Sequence, residues 1–349
     1  SGLIKRLVTL LIFKDIRLQG AALSNGKLTL QTAEQALEAT GIKAHLNQNK
    51  QIELSLSLSL AWPSKGVHLS IPSFQMRTDQ AISLTNPEMR GRICIADAAL
   101  ESPFTDLNNF RLISTTIYNH DQREVNFNGL EVTLPATYIK PNGEKHDTPV
   151  KLTLKGDGVF NLKDALLAIH PLKVMMMDGL EFEGRLDAML GPKKKITVEV
   201  DTCRLVPREL LRFVPSGMRG RMGLVNLKGP IRLQGRVQSQ EEEDAWAWDM
   251  NLTARLTNNP FDLDTDQVQL SGELTGTIEG RGRVPDIAMS ATLSGEQLTA
   301  SGAGIELKPS FADFTVSGTY PAFEVNDLSA QINGMRAILR NETYSLDDI

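Results

Sequence analysis

The chain has 349 residues, 37 basic against 42 acidic, for a net charge of −5. That balance argues against nucleic acid as a partner, and two cysteines are too few for a disulfide framework. Aromatic residues are only 5% of the chain, and the length admits either two ordinary domains or one extended architecture.

The chain opens on Ser1-Gly2 without a methionine, and its first apolar run, Leu3 to Phe13, carries Lys5 and Arg6 and is too short to span a bilayer. The expectation is a fragment of a longer protein whose anchor and address lie outside it. Thr32-Ala33-Glu34-Gln35 has the form of a capping box, and Gly41 stands where a C-terminal glycine cap belongs, which predicts a short helix. Next comes the most regular segment of the chain. Ile52, Leu54, Leu56, Leu58 and Leu60 alternate with Glu53, Ser55, Ser57 and Ser59, the period of a strand with one apolar face.

Further strand signals recur every 10 to 15 residues or so. They include Val67-Leu69-Ile71, Val150-Leu152-Leu154, Ile196-Val198-Val200, Trp246-Trp248-Met250-Leu252, Val268-Leu270, Ile287-Met289-Ala291-Leu293 and Phe323-Val325. Turns are predicted at Pro141-Asn142-Gly143, Gly191-Pro192-Lys193 and Gly280-Arg281-Gly282. The acidic run Glu241 to Asp244 lies between strands predicted over Ile231 to Val237 and Ala245 to Leu256, and reads as a solvated hairpin tip. Residues 161–169 have helical spacing at Leu162, Ala165, Leu166 and Ile169, which periodicity alone does not settle. Pro207 suits the first turn of a helix running to Val214 and stopped by Pro215. Both cysteines sit out of phase with their apolar neighbours: Cys94 lies between Ile93 and Ile95, and Cys203 shares the phase of Thr197, Glu199 and Asp201. Isolated thiols are expected.

One phrase recurs, an apolar residue followed two positions later by a glycine inside or ending a strand pattern, as at Gly156, Gly184, Gly235 and Gly272. Glycine there marks a bend or bulge. Repeated across strands, it would curl one sheet in a single sense.

Chemistry-bearing motifs are missing. The pairs Gly156/Gly158, Gly280/Gly282 and Gly302/Gly304 lack a third glycine and a following helix, so no dinucleotide site is expected. There is no P-loop, nucleophile elbow or His-Glu-x-x-His. His45, His68, His120, His146 and His170 are scattered singly, and the carboxylates are spread along polar faces. Met175-Met176-Met177 reads as a soft core filler. No catalysis, metal or cofactor is expected. On alternation alone, the expected architecture is a two-sheet sandwich.

From Thr148 the chain reads TPVKLTLKGDGVFNLKDALLAIHPLKVMMMDGLEFEGRLDAML, then a GPKK hairpin, then KITVEVDTCRLVPRELLRFVP to Pro215. This order resembles the AsmA-like family of bacterial envelope proteins: alternating strands, a strand ending in Gly-x-Leu (Gly184, Leu186), another strand, and a short Pro-Arg-x-Leu-Leu helix (Pro207, Arg208, Leu210, Leu211). The match covers residues 148–215; the rest of the chain agrees in texture. The resemblance implies a mainly β fold over residues 1–349, in which a long, strongly curved antiparallel sheet forms an elongated hydrophobic groove with a few short helices. It also implies a bridge-like lipid-transfer protein, periplasmic and anchored to the inner membrane in its full length. Such a protein carries phospholipid or another acyl lipid between the inner and outer membranes, which it reaches through segments absent from this chain. The groove-lining candidates are then the apolar-phase residues Ile52, Leu54, Leu56, Leu58, Leu60, Leu152, Leu154, Ile196, Val198, Val200, Trp246, Trp248, Met250, Leu252, Ile287, Met289 and Leu293. Unpaired sheet edges make end-to-end self-association an expectation. Two other functions fit strand-rich chains: a scaffold for outer-membrane protein assembly that pairs its edges with client strands, and a β-sandwich adhesin or carbohydrate-binding module.

Overall fold

The structure is a computed structural model. It describes residues 21–31, 36–46, 51–79, 88–103, 105–140, 149–177, 179–191, 194–211, 225–242, 245–264, 269–284, 286–302, 305–320, 322–325, 327–332, 335–339 and 342–345. The first eleven strands are β1 (Ala21–Gln31), β2 (Ala36–Leu46), β3 (Ile52–Trp62), β4 (Val67–Thr78), β5 (Glu88–Glu101), β6 (Thr105–Asn119), β7 (Glu124–Ile139), β8 (Val150–Asn161), β9 (Leu166–Met176), β10 (Leu180–Met189) and β11 (Lys195–Leu205). After a helical turn at Pro207–Leu211 come β12 (Val225–Leu227), β13 (Ile231–Glu242), β14 (Ala245–Asp264), β15 (Gln269–Arg283), β16 (Asp286–Gly302) and β17 (Ile305–Tyr320). The described chain ends with β18 (Ala322–Val325), β19 (Asp327–Ile332), β20 (Met335–Leu339) and β21 (Glu342–Ser345).

All of these strands belong to one sheet. Eighteen of them pair antiparallel in an unbroken run that does not close on itself. Strand mostly follows strand in chain order, the arrangement that short connections between amphipathic segments favour. The run departs from chain order at two points. The short β12 pairs with β14 beyond the start of β13, and β18 touches β17 in parallel while pairing with β21. Among the described residues, each strand packs chiefly against its neighbours in this sheet, and not against a second layer. This is not the two-sheet sandwich that alternation alone predicts.

The accessible surface is 22117 Å², whereas a compact monomer of this mass exposes about 14,000 Å². Eighteen strands at about 4.8 Å spacing extend on the order of 80 Å along the stacking direction before twist shortens it. Small-angle scattering at low concentration should therefore give a radius of gyration well above the ~20 Å of a globule of this length. A value at the globular figure would contradict the open sheet.

Bulges cross the sheet from one end to the other. Extra residues interrupt the pairing at Asn25 in β1, Gly41 in β2, Pro72 in β4, Asp97 in β5, Asn109 in β6 and both Gly129 and Pro135 in β7. The series continues at Pro171 in β9, Asp201 in β11, Asn258 in β14, Gln297 in β16 and Pro309 in β17. The residue types fit the role. Asn25, Asp97, Asn109 and Asn258 have φ between 43° and 57°, the left-handed region that Asn and Asp tolerate best. The prolines sit where no ladder donor is required. Neighbouring strands supply partners for the freed groups: the Gly129 N–H donates to Asp157 Oδ1 (2.7 Å), and Ser57 Oγ donates to the Pro72 carbonyl (2.6 Å). Each bulge bends its strand and increases local twist.

The recurring glycines belong to this system. Gly156, Gly184, Gly235 and Gly272 each flank or oppose a bulge. A Cβ on Gly156 would lie 2.6 Å from the Pro171 carbonyl oxygen, and one on Gly184 would drive into that of Glu199. The neighbouring backbone comes in too close for any side chain.

Several sequence expectations are corrected. The helix expected from Thr32 to Gly41 is excluded, because Ala36–Leu46 is strand β2; residues 32–35 are outside the described set. Gly41, at φ +59°, is a bulge residue, and a glycine cap and a glycine bulge demand the same left-handed backbone. Residues 161–169 form a hairpin. Asn161 Oδ1 accepts the N–H groups of Lys163 and Asp164 (both 2.9 Å), and β9 starts at Leu166. Gly280-Arg281-Gly282 is not a turn but lies inside β15. Glu241 and Glu242 end β13 and pair with Lys194 and Arg283, so half of the acidic run is strand. The helix at Pro207 is present through Leu211; its expected remainder, the Pro141 turn, and Pro192-Lys193 fall outside the described residues.

Candidate functional site

Residues directly opposite each other on antiparallel strands share a face. One row can be followed this way from β3 to β17: Leu56, Phe74, Ile95, Leu112, Val132, Leu154, Val174, Phe182, Cys203, Leu233, Ala254, Ile278, Ala291 and Val316. Every member is apolar. At the N-terminal end, Leu28, Ala39 and Leu58 carry the same face onto β1 and β2.

The register places sixteen of the seventeen lining candidates on this face: Ile52, Leu54, Leu56, Leu58, Leu60, Leu152, Leu154, Ile196, Val198, Val200, Trp248, Met250, Leu252, Ile287, Met289 and Leu293. The side chain of Trp246 lies outside the described set. Leu54 is buried, Trp248 is 46% exposed at one rim, and the other fourteen are half-buried. That is the exposure expected of side chains covered by their sheet neighbours with no second layer above them. Ser55, Ser57 and Ser59 lie on the opposite face but are also half-buried, so burial alone does not separate the two faces of β3.

Among the described residues, all fourteen buried apolar ones, from Leu37 and Ala39 to Leu298 and Ala312, fall on the apolar face as well. Phe261, Leu298 and Ala312 form its densest patch, with Leu227, Leu263, Leu270 and Leu274 packed around them. Asn259, fully buried beside this patch, is satisfied by the backbone where β12 gives way to β13. Its Oδ1 accepts the Gly229 N–H (2.8 Å), and its Nδ2 donates to the Pro230 carbonyl (3.1 Å).

The other face is ionic. Glu53 opposes Arg77, Glu131 opposes Lys155, Lys173 opposes Glu183, and Glu181 opposes Arg204, at 3.2–3.9 Å. Exposed pairs of this kind contribute at most about 1 kcal/mol each. Their value lies in register: a slip of one residue would put these charges on the apolar face.

Cys203 corrects the expectation from alternation. The extra residue at Asp201 inverts the phase, so Cys203 shares the face of Val200 and sits between Phe182 and Leu233. It is buried, and burial pushes its thiol pKa up. Since the thiolate is the reactive form, Cys203 should alkylate far more slowly at pH 8 than the half-buried Cys94, and catch up on unfolding. Equal rates in the native protein, read by mass spectrometry of iodoacetamide-treated samples, would contradict this burial.

Sequence reasoning missed Phe74, Ile95, Leu112, Val132, Val174, Phe182, Leu233, Ile278 and Val316 of the row. Phe74, Leu112, Val132, Val174 and Val316 lie beyond phase inversions at Pro72, Asn109, Gly129, Pro171 and Pro309, whereas Phe182 and Leu233 lie in regularly alternating strands and were legible from phase. An Asn, Gly or Pro inside an otherwise alternating run was the available signal for the inversions. Comparisons with protein-family models, curated proteins and solved structures found no match.

Proposed function

We propose that the chain is a non-enzymatic carrier of acyl lipids, which bind on the apolar face and move along it from strand to strand. The observation that carries this reading is the fourteen-strand apolar row over which, among the described residues, no second sheet is packed. A bilayer core of about 30 Å holds two chains end to end, so one acyl chain covers roughly 15 Å. That is about three strands at their usual spacing. Each methylene transferred from water to this face contributes about 0.8 kcal/mol. Because the next residue in the row is again apolar, a chain can advance by one strand without exposing itself or meeting a polar step. The bulges would curl the sheet around its apolar face and give a groove. The resemblance of residues 148–215 to the AsmA-like family agrees with this reading and supplies its setting: phospholipid transfer between the two membranes of a bacterial envelope, with the protein in the periplasm. Native mass spectrometry after gentle extraction tests it. Co-purified diacyl lipid is the expected result; a chain that comes through bare and takes up no lipid from vesicles would overturn the proposal.

A further inference from the structure

Two side-chain hydroxyls among the described residues are buried without a hydrogen-bond partner, those of Ser239 and Thr137. Both lie on the apolar face. Ser239 faces Ile196 on β11 and Trp248 on β14. Thr137 follows the bulge at Pro135 and faces Val150. They occupy opposite rims, Ser239 near the end of β13 and Thr137 near the end of β7. Ser239 is 1% exposed, so none of the described residues offsets the desolvation of its O–H, whereas the buried Asn259 amide is paired. An orphaned donor of this kind weakens the empty protein unless something else fills it.

We propose that Ser239 and Thr137 are polar contact points for the ester carbonyl oxygens of the lipid, so that the site selects acyl esters over simple hydrocarbon chains. This rests on the lipid-binding reading above. Ester oxygens are the acceptors closest to the acyl chains, and a hydroxyl at the rim of an apolar row stands where a chain lying on the row would present its ester end. A serine hydroxyl moves between staggered positions by rotation about one bond, and Trp248 opposite it is half open to solvent. The hydroxyl can therefore meet a ligand once the Trp248 side chain swings aside at the rim, without movement of the strand.

The test compares dipalmitoyl phosphatidylcholine with its dihexadecyl ether analogue, which keeps headgroup and chain length but lacks the carbonyls. Both are offered in vesicles to the wild type, Ser239→Ala, Thr137→Val, the double variant, and Ser290→Ala on the opposite face as a control. The wild type and the control should retain the ester lipid about fivefold better than the ether, the worth of one ordinary hydrogen bond. The preference should fall in each single variant and vanish in the double variant. The lipid-free Ser239→Ala protein should unfold at a higher temperature than the wild type, which a hydroxyl with a structural partner would not permit. Equal uptake of both lipids by the wild type would overturn the ester contact and leave the carrier reading standing. Uptake of neither would overturn both.

Discussion

Gly184→Ala should be among the most damaging single substitutions in the sheet, lowering stability by about 3 kcal/mol or more. The added methyl would collide with the Glu199 carbonyl oxygen of β11, a backbone atom that cannot move without breaking the β10–β11 ladder beside the Asp201 bulge. Gly235→Ala should behave alike for two reasons. Its Cβ would strike the Asn251 carbonyl oxygen, and its φ of +135° is one that L side chains rarely adopt. Gly280→Ala is the control. It too lies inside a strand, but its nearest neighbour is Ile287 Cγ2 at 3.7 Å, so the change should be neutral or slightly stabilising. Urea midpoints followed by circular dichroism read the difference. If Gly184→Ala and Gly280→Ala unfold together, the close approach of backbones at the bulges is not a feature of the folded sheet.

The same bulges decide how much of the fold was legible in the sequence. Where a strand carries no bulge the reading is secure: Ile52 to Leu60 lie on one face, as their alternation requires, and both edges of β3 pair apolar with apolar. A bulge adds one residue and exchanges the faces, so local parity fails beyond it, as at Cys203. The glycine phrase announced the bulges at Pro171, Asp201 and Gln297, which Gly156, Gly184, Gly235 and Gly272 flank or oppose across the ladder; elsewhere the signal was weaker, a single Asn, Asp, Gly or Pro inside an alternating run. Other errors arise because one backbone conformation serves two purposes. Gly41 suits a helix cap and a bulge equally well, and Gly280-Gly282 has the composition of a turn yet lies in a strand where Gly282 accommodates its neighbour at φ +137°. The apolar face was legible as a set of residues. Its continuity was not, because the row from Leu56 to Val316 exists only once register is fixed, and register depends on every bulge before it.

Continuity is also what a charge should destroy. Leu56→Asp and Val198→Asp each place a carboxylate on the apolar face, and an acyl chain lying over either must strip that carboxylate of water, at a cost of several kcal/mol. Lipid occupancy should fall at least about a hundredfold, the equivalent of about 2.7 kcal/mol. Ser57→Asp and Glu199→Asp place the same group one residue away on the opposite face, where Glu199 already opposes Arg185 and Arg236; their occupancy should stay near the wild-type level. Leu56 and Val198 lie on β3 and β11, eight strand positions from each other along the run. A carrier that moves lipid along the whole face should therefore be blocked by either substitution in a vesicle-to-vesicle transfer assay. A protein with one local pocket would be sensitive to only one of them. Circular dichroism must show each variant folded, and the half-burial of both side chains makes that attainable, since water can still reach the new carboxylate when no lipid is bound. Equal lipid loading by all four folded variants would count decisively against the apolar face as the binding surface. Loss of loading at one position alone would confine binding to that end of the sheet and remove the argument for movement along it.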